Sequence, residues 1–262
     1  MAAFSTIDYR VTGRVATVTM TRPKQLNSLT DSFIDDLNEV LDNVGADRRI
    51  RALVIRGSKK VFSVGMDLGS LDRGFADVEF FKAALRRLHQ LFAHIEATDV
   101  PVVAVVEGLT RAGGLEMLLA CDLVIVSTTA RIADAHTPFG VIPGGGSTVR
   151  LPRKVGDQQA RRLIYTGGWL VGEDAVKAGL ALEAVAPDAI DDALDRLLAG
   201  LVDKPRATLG AAKRAMNKGA GLSIASAMEI ELEEFEVLLE TPDSPAREGF
   251  AAYREGRPPV WE

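Results

Sequence analysis

Two stretches of this 262-residue chain are too apolar to face water on either side: "VPVVAVVEG" (100–108) and "DLVIVST" (122–128). A half-exposed strand alternates apolar and polar residues. A run of consecutive Val and Ile reads as a strand covered on both faces, the condition of a parallel sheet clad in helices. Between the two runs lies "LTRAGGLEMLLACD", long enough for a crossover helix. Upstream, "GRVATVTM" (13–20) alternates as a half-buried strand, and "RALVIRG" (51–57) is a strand ending in glycine. Thr30 or Asp31 is placed to cap a helix whose apolar stripe is Phe33, Ile34, Leu37, Val40, Leu41 and Val44. A second helix is predicted over about 77–96, with Phe81, Leu85, Leu88, Phe92 and Ile95 on one face. His89 and His94 fall outside that stripe and are expected to face solvent or another subunit. Strand–helix alternation of this kind implies an α/β fold.

From about residue 157 the pattern turns helical. "DAIDDALDRLLAGLVD", "KPRATLGAAKRAMNKG" and "LSIASAMEIELEEFEVLLE" follow one another with Pro or Gly between them, and the tail "REGFAAYREGRPPVWE" ends in a proline stop. With 47% hydrophobic and 26% charged residues, the chain can bury a large core in one or two domains. A net charge of −5, with no dominant basic stripe, argues against nucleic acid as a main partner. No apolar run reaches the roughly 18 residues of a membrane span. The opening "MAAFSTIDYR" lacks the basic and apolar regions of a secretory signal, and Cys121 has no second cysteine to pair with. The expected compartment is the cytoplasm.

Chemistry concentrates in two glycine-bearing stretches. In "RAGGLEMLLACD", Gly113 and Gly114 precede a helix's first turn, where backbone N–H groups lack internal partners. Without a Cβ, each glycine lets an oxygen approach its amide closely. A helical side chain leans toward its own N-terminus, so the Glu116 carboxylate can hang over the same opening. One turn can thus supply an oxyanion donor and a general base; equally, Glu116 can be a first-turn carboxylate favoured by the helix dipole. The second stretch, "KKVFSVGMDLGSL" (59–71), reads as a loop after a buried strand. Gly65 frees its backbone, and the amide of Met66 offers a second donor for an enolate or tetrahedral oxyanion. Asp67 can as readily fix the turn through its own backbone.

Taken in order, "GRVATVTMTRPKQLNSL", "VFSVGMDL", "PVVAVVEGLTRAGGLEMLLACDLVI", "FGVIPGGGSTVRLPR", "YTGGWLVGEDAVKAGLALEAV" and "AREGFAAYREGRPPVW" resemble the crotonase, or enoyl-CoA hydratase/isomerase, superfamily along nearly the whole chain. The resemblance implies a crotonase-type spiral of ββα units over residues 1–200, followed by a C-terminal helical trimerisation region over 201–262. It implies a homotrimer or a dimer of trimers. It implies an acyl-CoA thioester substrate whose carbonyl oxygen sits between the amides of Met66 and Gly113. Lys24, Gln25 and Leu26 would contact the coenzyme A moiety, with Asp67 and Leu68 lining its adenine end. No metal is implied, and no cofactor beyond the coenzyme A of the substrate. Two positions depart from the pattern: Gly69 stands where many relatives carry a lysine near the CoA phosphate, and Gly256 where another basic residue is frequent.

The largest departure concerns acid–base chemistry. Hydratases of this family use two glutamates flanking the reacting double bond. Glu116 matches the first; the second belongs seven residues before the proline of the "IPG" turn, and His136 stands there. Imidazole titrates near neutral pH and serves as acid or base. A carboxylate beside it would favour the imidazolium, making His136 the proton donor and Glu116 the base. Hydration of a 2-enoyl-CoA is the leading expectation. The alternatives are double-bond isomerisation, hydrolysis of a β-diketone or thioester by His136, and an acyl-CoA-binding relative with little catalysis. Camphor-diketone hydrolases of the superfamily support such a histidine with an aspartate in the glycine-rich turn, where this chain has Gly145; Asp134 is the nearby substitute.

Overall fold

The computed structural model describes residues 4–261. Two sheets share the strands. The first runs β1 (Ile7–Thr12), β2 (Val15–Met20), β3 (Ala52–Arg56), β5 (Val102–Val106), β7 (Leu123–Ser127) and β10 (Glu183–Val185). The second runs β4 (Val61–Ser63), β6 (Leu109–Arg111), β8 (Arg131–Ala133) and β9 (Trp169–Val171). All pairings are parallel except β1–β2 and β8–β9. Three successive pairs, β3/β4, β5/β6 and β7/β8, each give one strand to each sheet, so the chain winds as a spiral. Its turns are stacked: Leu109 N donates to Lys60 O, Arg131 N to Gly108 O and Gly172 N to Ala130 O.

The doubly buried strands behave as their composition requires. Val102, Ala104 and Val106 of β5 join a core with Phe62, Ile132 and Leu170 of the second sheet. Helix α1 (Asp31–Ala46), capped by Thr30 accepting from Phe33 N, adds its whole stripe from Phe33 to Val44 to that core. Val103 and Val105 face the other way, with Val54 and Ile125, onto Ile190, Ala193, Leu194 and Leu198 of α8 (Ile190–Val202). Truncating one such leucine to alanine costs about 2–5 kcal/mol, because the neighbours collapse only partly into the space left.

Several expectations need correction. The segment after Ser63 is not all loop: α2 (Leu68–Ala76) begins there, its N-terminus capped by Asp67. The chain beyond 157 is not all helix. Between α6 (Asp157–Thr166), the short α7 (Glu173–Lys177) and α8 it places β9 and β10, which close the two sheets. Helix α3 (Val78–Ala97) buries Leu88, Leu91, Phe92 and Ile95; His89 is exposed, as expected of a residue outside the stripe, and His94 is half-buried, and each makes one polar contact. His89 Nε2 donates to the Gly144 carbonyl at 2.6 Å, and His94 Nδ1 pairs with Asn38 Oδ1 at 2.9 Å.

At the C-terminus, α9 (Arg206–Gly219) is tied to the core by the buried Lys213, whose ammonium reaches the Ile95 and Val100 carbonyls and Asp122. Helix α10 (Ile224–Glu240) leaves apolar side chains uncovered. Glu234, paired with Arg214 and Lys218, is its one buried residue, while Ile224, Met228, Leu232 and Phe235 are exposed. Helix α11 (Pro245–Glu255) ends at Gly256 in the left-handed conformation (φ +66°).

Candidate active site

The site forms where the second sheet meets α4 (Gly113–Ala120), a helix whose eight residues are all buried. Gly65, at φ +90°, holds a conformation that side chains resist. Its O accepts from Leu29 N, fixing the turn that presents Met66. Opposite, Ala112 joins β6 to α4 at φ +48° and ψ −125°, strained for a residue with a Cβ. The kink is held by Ala112 N donating to Asp134 O at 2.9 Å and Ala133 O at 3.2 Å. It turns the chain so abruptly that the Gly113 amide heads the helix. A Cβ on Gly113 would lie 2.9 Å from Gly65 Cα and 3.6 Å from Met66 N, so the two turns touch. Among the described residues, neither the Met66 nor the Gly113 N–H donates to a protein group. Two unpaired amides therefore stand side by side at a helix N-terminus.

Glu116 hangs behind them, 2% exposed. Its Oε1 accepts from Gly145 N at 2.6 Å and Ser147 N at 3.2 Å, at the N-terminal end of α5 (Ser147–Val155). Its Oε2 faces His136 Nε2 at 3.9 Å. Burial pushes the Glu116 carboxyl above the ordinary range, opposed by His136 and the two amides, which favour the charged form. Burial pulls His136 the other way. The hydrogen bond that the ring donates to Asp134 and the charges of Glu116 and Asp134 outweigh it, and the imidazole sits above its usual value.

Gly145 packs closely on the site: a Cβ there would run into the Glu116 carboxylate and stand 3.0 Å from Phe92 Cε2. A carboxylate at position 145 would thus have to displace the Glu116 side chain. Asp134 takes that place beside the imidazole instead, its Oδ1 2.9 Å from His136 Nδ1.

The frame around this turn lies outside the residues expected to form the site. Arg150 donates to Gly145 O at 3.1 Å and is held by both oxygens of Glu96, at 2.6 and 2.8 Å. With His89 on Gly144 O, α3 thus holds the glycine turn directly and, through Glu96 and Arg150 of α5, indirectly. The signal is in the spacing: His89 and Glu96 lie seven residues, about two helical turns, apart and outside the apolar stripe.

The residues implied for coenzyme A gather near by. Lys24 and Gln25 are exposed in a 3-10 turn that Leu26 ends, and Leu26 O accepts from Val64 N, which ties the turn to the segment before Gly65. Leu68 is exposed. Asp67 is engaged locally, accepting from Ser70 N and Ser70 Oγ. Among the described residues no group of three or more His, Cys, Asp or Glu side chains could hold a metal ion. A surface cleft of about 500 Å³, lined by Gln159, Arg162, Trp169 and Lys177, shares none of the site's residues.

The site thus brings two unpaired amides beside a carboxylate–imidazole pair, and the chain as a whole is similar to known proteins along most of their length. Residues 10–262 match the Enoyl-CoA hydratase/isomerase family. A probable enoyl-CoA hydratase of Rhizobium meliloti is 32% identical over 257 residues, covering 96% of this chain and 95% of that protein. The human mitochondrial enoyl-CoA hydratase domain-containing protein 2 is 36% identical over 251 residues, 94% of this chain and 84% of the other. An enoyl-CoA hydratase structure from Mycobacterium smegmatis superposes with a TM-score of 0.90 at 28% identity, covering 98% of this chain and 99% of that one. Fold, motif order and full-length similarity agree: this chain belongs to the enoyl-CoA hydratase/isomerase family.

Proposed function

We propose that the protein is a 2-enoyl-CoA hydratase, a lyase that adds water across the double bond of an acyl thioester. The thioester carbonyl oxygen lies between the Met66 and Gly113 N–H groups, which stabilise the charge it gains as the enolate forms. Glu116 takes a proton from water, whose oxygen bonds to Cβ. His136 Nε2 then gives a proton to Cα, and the carbonyl re-forms. The coenzyme A arm runs over Lys24, Gln25 and Leu26 toward Asp67 and Leu68. The observation that carries this reading is the 3.9 Å pairing of Glu116 with His136 behind two unpaired amides. A crotonyl hydratase of Syntrophomonas wolfei, 30% identical to this chain, supports a short enoyl substrate as the first to try. Turnover of crotonyl-CoA to its 3-hydroxy product, followed by mass spectrometry, tests the reading; no turnover of any enoyl-CoA in a chain-length series sinks it.

A second reading has one observation in its favour. The Asp134 carboxylate on His136 Nδ1 is what a histidine activating water for hydrolysis needs. Release of free coenzyme A, or cleavage of a β-diketone, in the same assays separates it from hydration.

Residues 1–200 carry the site in this proposal, and 201–262 mediate assembly into a trimer or dimer of trimers. The exposed Ile224, Met228, Leu232 and Phe235 of α10 support assembly, since a row of apolar side chains on one helix marks a contact surface. Light scattering showing a stable monomer at micromolar concentration would refute it. We place the protein in the cytoplasm, in line with a single, buried, unpaired cysteine and no described helix long and apolar enough to cross a membrane. The human relative is named as mitochondrial, so fractionation of the source cells is the check.

A further inference from the structure

We propose that Asp134 is the positioning residue of the reaction, fixing the His136 ring with hydrogen on Nδ1 and Nε2 turned toward Glu116 and the substrate. The proposal rests on His136 being the proton donor in the reading above.

Asp134 follows β8 directly and is wholly buried. One oxygen, Oδ1, accepts from the ring of His136 at 2.9 Å and from its backbone N–H at 3.4 Å. Residues two apart in an extended chain cannot meet in this way. Ala135 between them adopts φ +58°, a left-handed kink that folds His136 back over the carboxylate. An ionised carboxylate only accepts hydrogen bonds, so Nδ1 must carry the hydrogen. In the neutral ring Nε2 is then the basic nitrogen, and in the charged ring it is the N–H that faces Glu116. The ring's orientation and tautomer follow from one contact.

Other aspartates of this chain show what a structural role looks like. Asp67 caps α2 and binds Ser70 through both oxygens, and Asp36 gathers the amides and hydroxyls of Ser5 and Thr6. The Asp134 side chain caps no helix and touches no hydroxyl, and its second oxygen, Oδ2, is buried with no hydrogen-bond partner among the described residues. Burying a carboxylate so sparsely bonded is costly unless a cation balances it, and His136 is its one ion-pair partner among the described residues. The same residue also accepts from Ala112 N through its backbone carbonyl, immediately before Gly113. Asp134 therefore registers the proton donor against the oxyanion turn. The charged groups acting on the His136 ring are Asp134 from the end of β8 and Glu116 from α4; Arg111, at the end of β6, faces the Phe139 ring instead.

The experiment compares the full chain with Asp134→Asn, His136→Gln and the double variant on crotonyl-CoA across pH. Asparagine keeps the shape and an acceptor but removes the charge. Its kcat should fall about 10²-fold with KM little changed, within the range of acid–base contributions. Its alkaline limb should move to lower pH. Adding Asp134→Asn to His136→Gln should change kcat by no more than about twofold, as for residues acting as one unit. Nitrogen-15 spectra of the three histidines, assigned with His136→Gln, should show wild-type His136 protonated on Nδ1 above its titration. That measurement needs no Asp134 variant to fold. Wild-type kcat and pH profile in Asp134→Asn, or hydrogen on Nε2 alone in the wild type, overturns the role of Asp134. Full activity in His136→Gln overturns the reading of His136 itself, a separate result.

Discussion

Gly65 and Gly113 lie back to back: a Cβ on Gly65 would stand 2.5 Å from the Gly113 amide nitrogen, and one on Gly113 would stand 2.9 Å from Gly65 Cα. The two amides proposed to hold the oxyanion converge only because both residues lack side chains. Gly113→Ala should therefore push the turns apart without emptying the core. Loss of one well-placed donor costs about 10²–10³-fold in kcat. We expect a loss of that size on crotonyl-CoA, with thermal unfolding changed by only a few degrees. Wild-type kcat in this variant would mean that the amides are not the oxyanion donors.

Glu116→Gln separates chemistry from folding. Glutamine can still accept from Gly145 N and Ser147 N, but it can no longer take a proton. Hydration should fall by about 10²–10⁴-fold. Stability should move the other way. The folded-state pKa of Glu116 is raised by burial, so the native state holds this proton more tightly than the unfolded chain. Its contribution is full below the unfolded carboxylate value and is lost as pH rises through the folded one. The variant should thus gain in Tm relative to wild type at pH 8 and gain less at pH 4. A variant destabilised equally at both would show that the buried charge is not the source of strain.

What the sequence made legible follows from physics that acts locally. Val102–Val106 and Leu123–Ser127 announce themselves because consecutive β-branched residues have no other economical environment. Thr30 and the stripe from Phe33 to Val44 announce a helix by period and cap. Strands β4, β6, β8, β9 and β10 did not, because three residues carry no period and each is defined by the strand beside it. Helix α2 was hidden by two glycines in "LGSLDRGFA", and the Asp67 cap holds its start in place. Asp134 could be named from the sequence as a substitute support for His136, but the geometry of their contact could not. It depends on a positive φ at Ala135, which an alanine does not advertise.

The frame on α3 gives a test of positioning away from the reacting atoms. Arg150 donates to Gly145 O while Gly145 N donates to Glu116 Oε1, so one residue, Gly145, links the Glu96–Arg150 pair to the proposed base. Arg150→Met keeps the length and apolar bulk of the side chain but frees the Gly145 carbonyl. We expect kcat to fall roughly tenfold, short of the 10²–10⁴-fold of a lost base. Glu96→Gln should give a smaller loss in the same direction. Unchanged kcat in both would show that the amides of Gly145 and Ser147 are held well enough by α5 alone.

The pH profile and its redesign are linked. Hydration as proposed needs Glu116 ionised and His136 protonated, and both groups titrate above their ordinary values. The rate should therefore be bell-shaped, with an acid limb above the usual carboxylate range and an alkaline limb above the usual imidazole value. Because the groups face each other at 3.9 Å, the two limbs belong to the pair rather than to either residue. His136→Glu would supply the two glutamates common in the family, but it would also set that carboxylate against Asp134, which now lies 2.9 Å from the ring. Three buried acids would repel, and at least one would stay protonated into the neutral range. Alone, His136→Glu should hydrate crotonyl-CoA poorly and show an acid limb displaced upward. Combined with Asp134→Asn, which removes the third charge, it should regain activity with no imidazole limb on the alkaline side. If the double variant is no better than His136→Glu alone, crowding by Asp134 is not what separates this site from a two-glutamate hydratase.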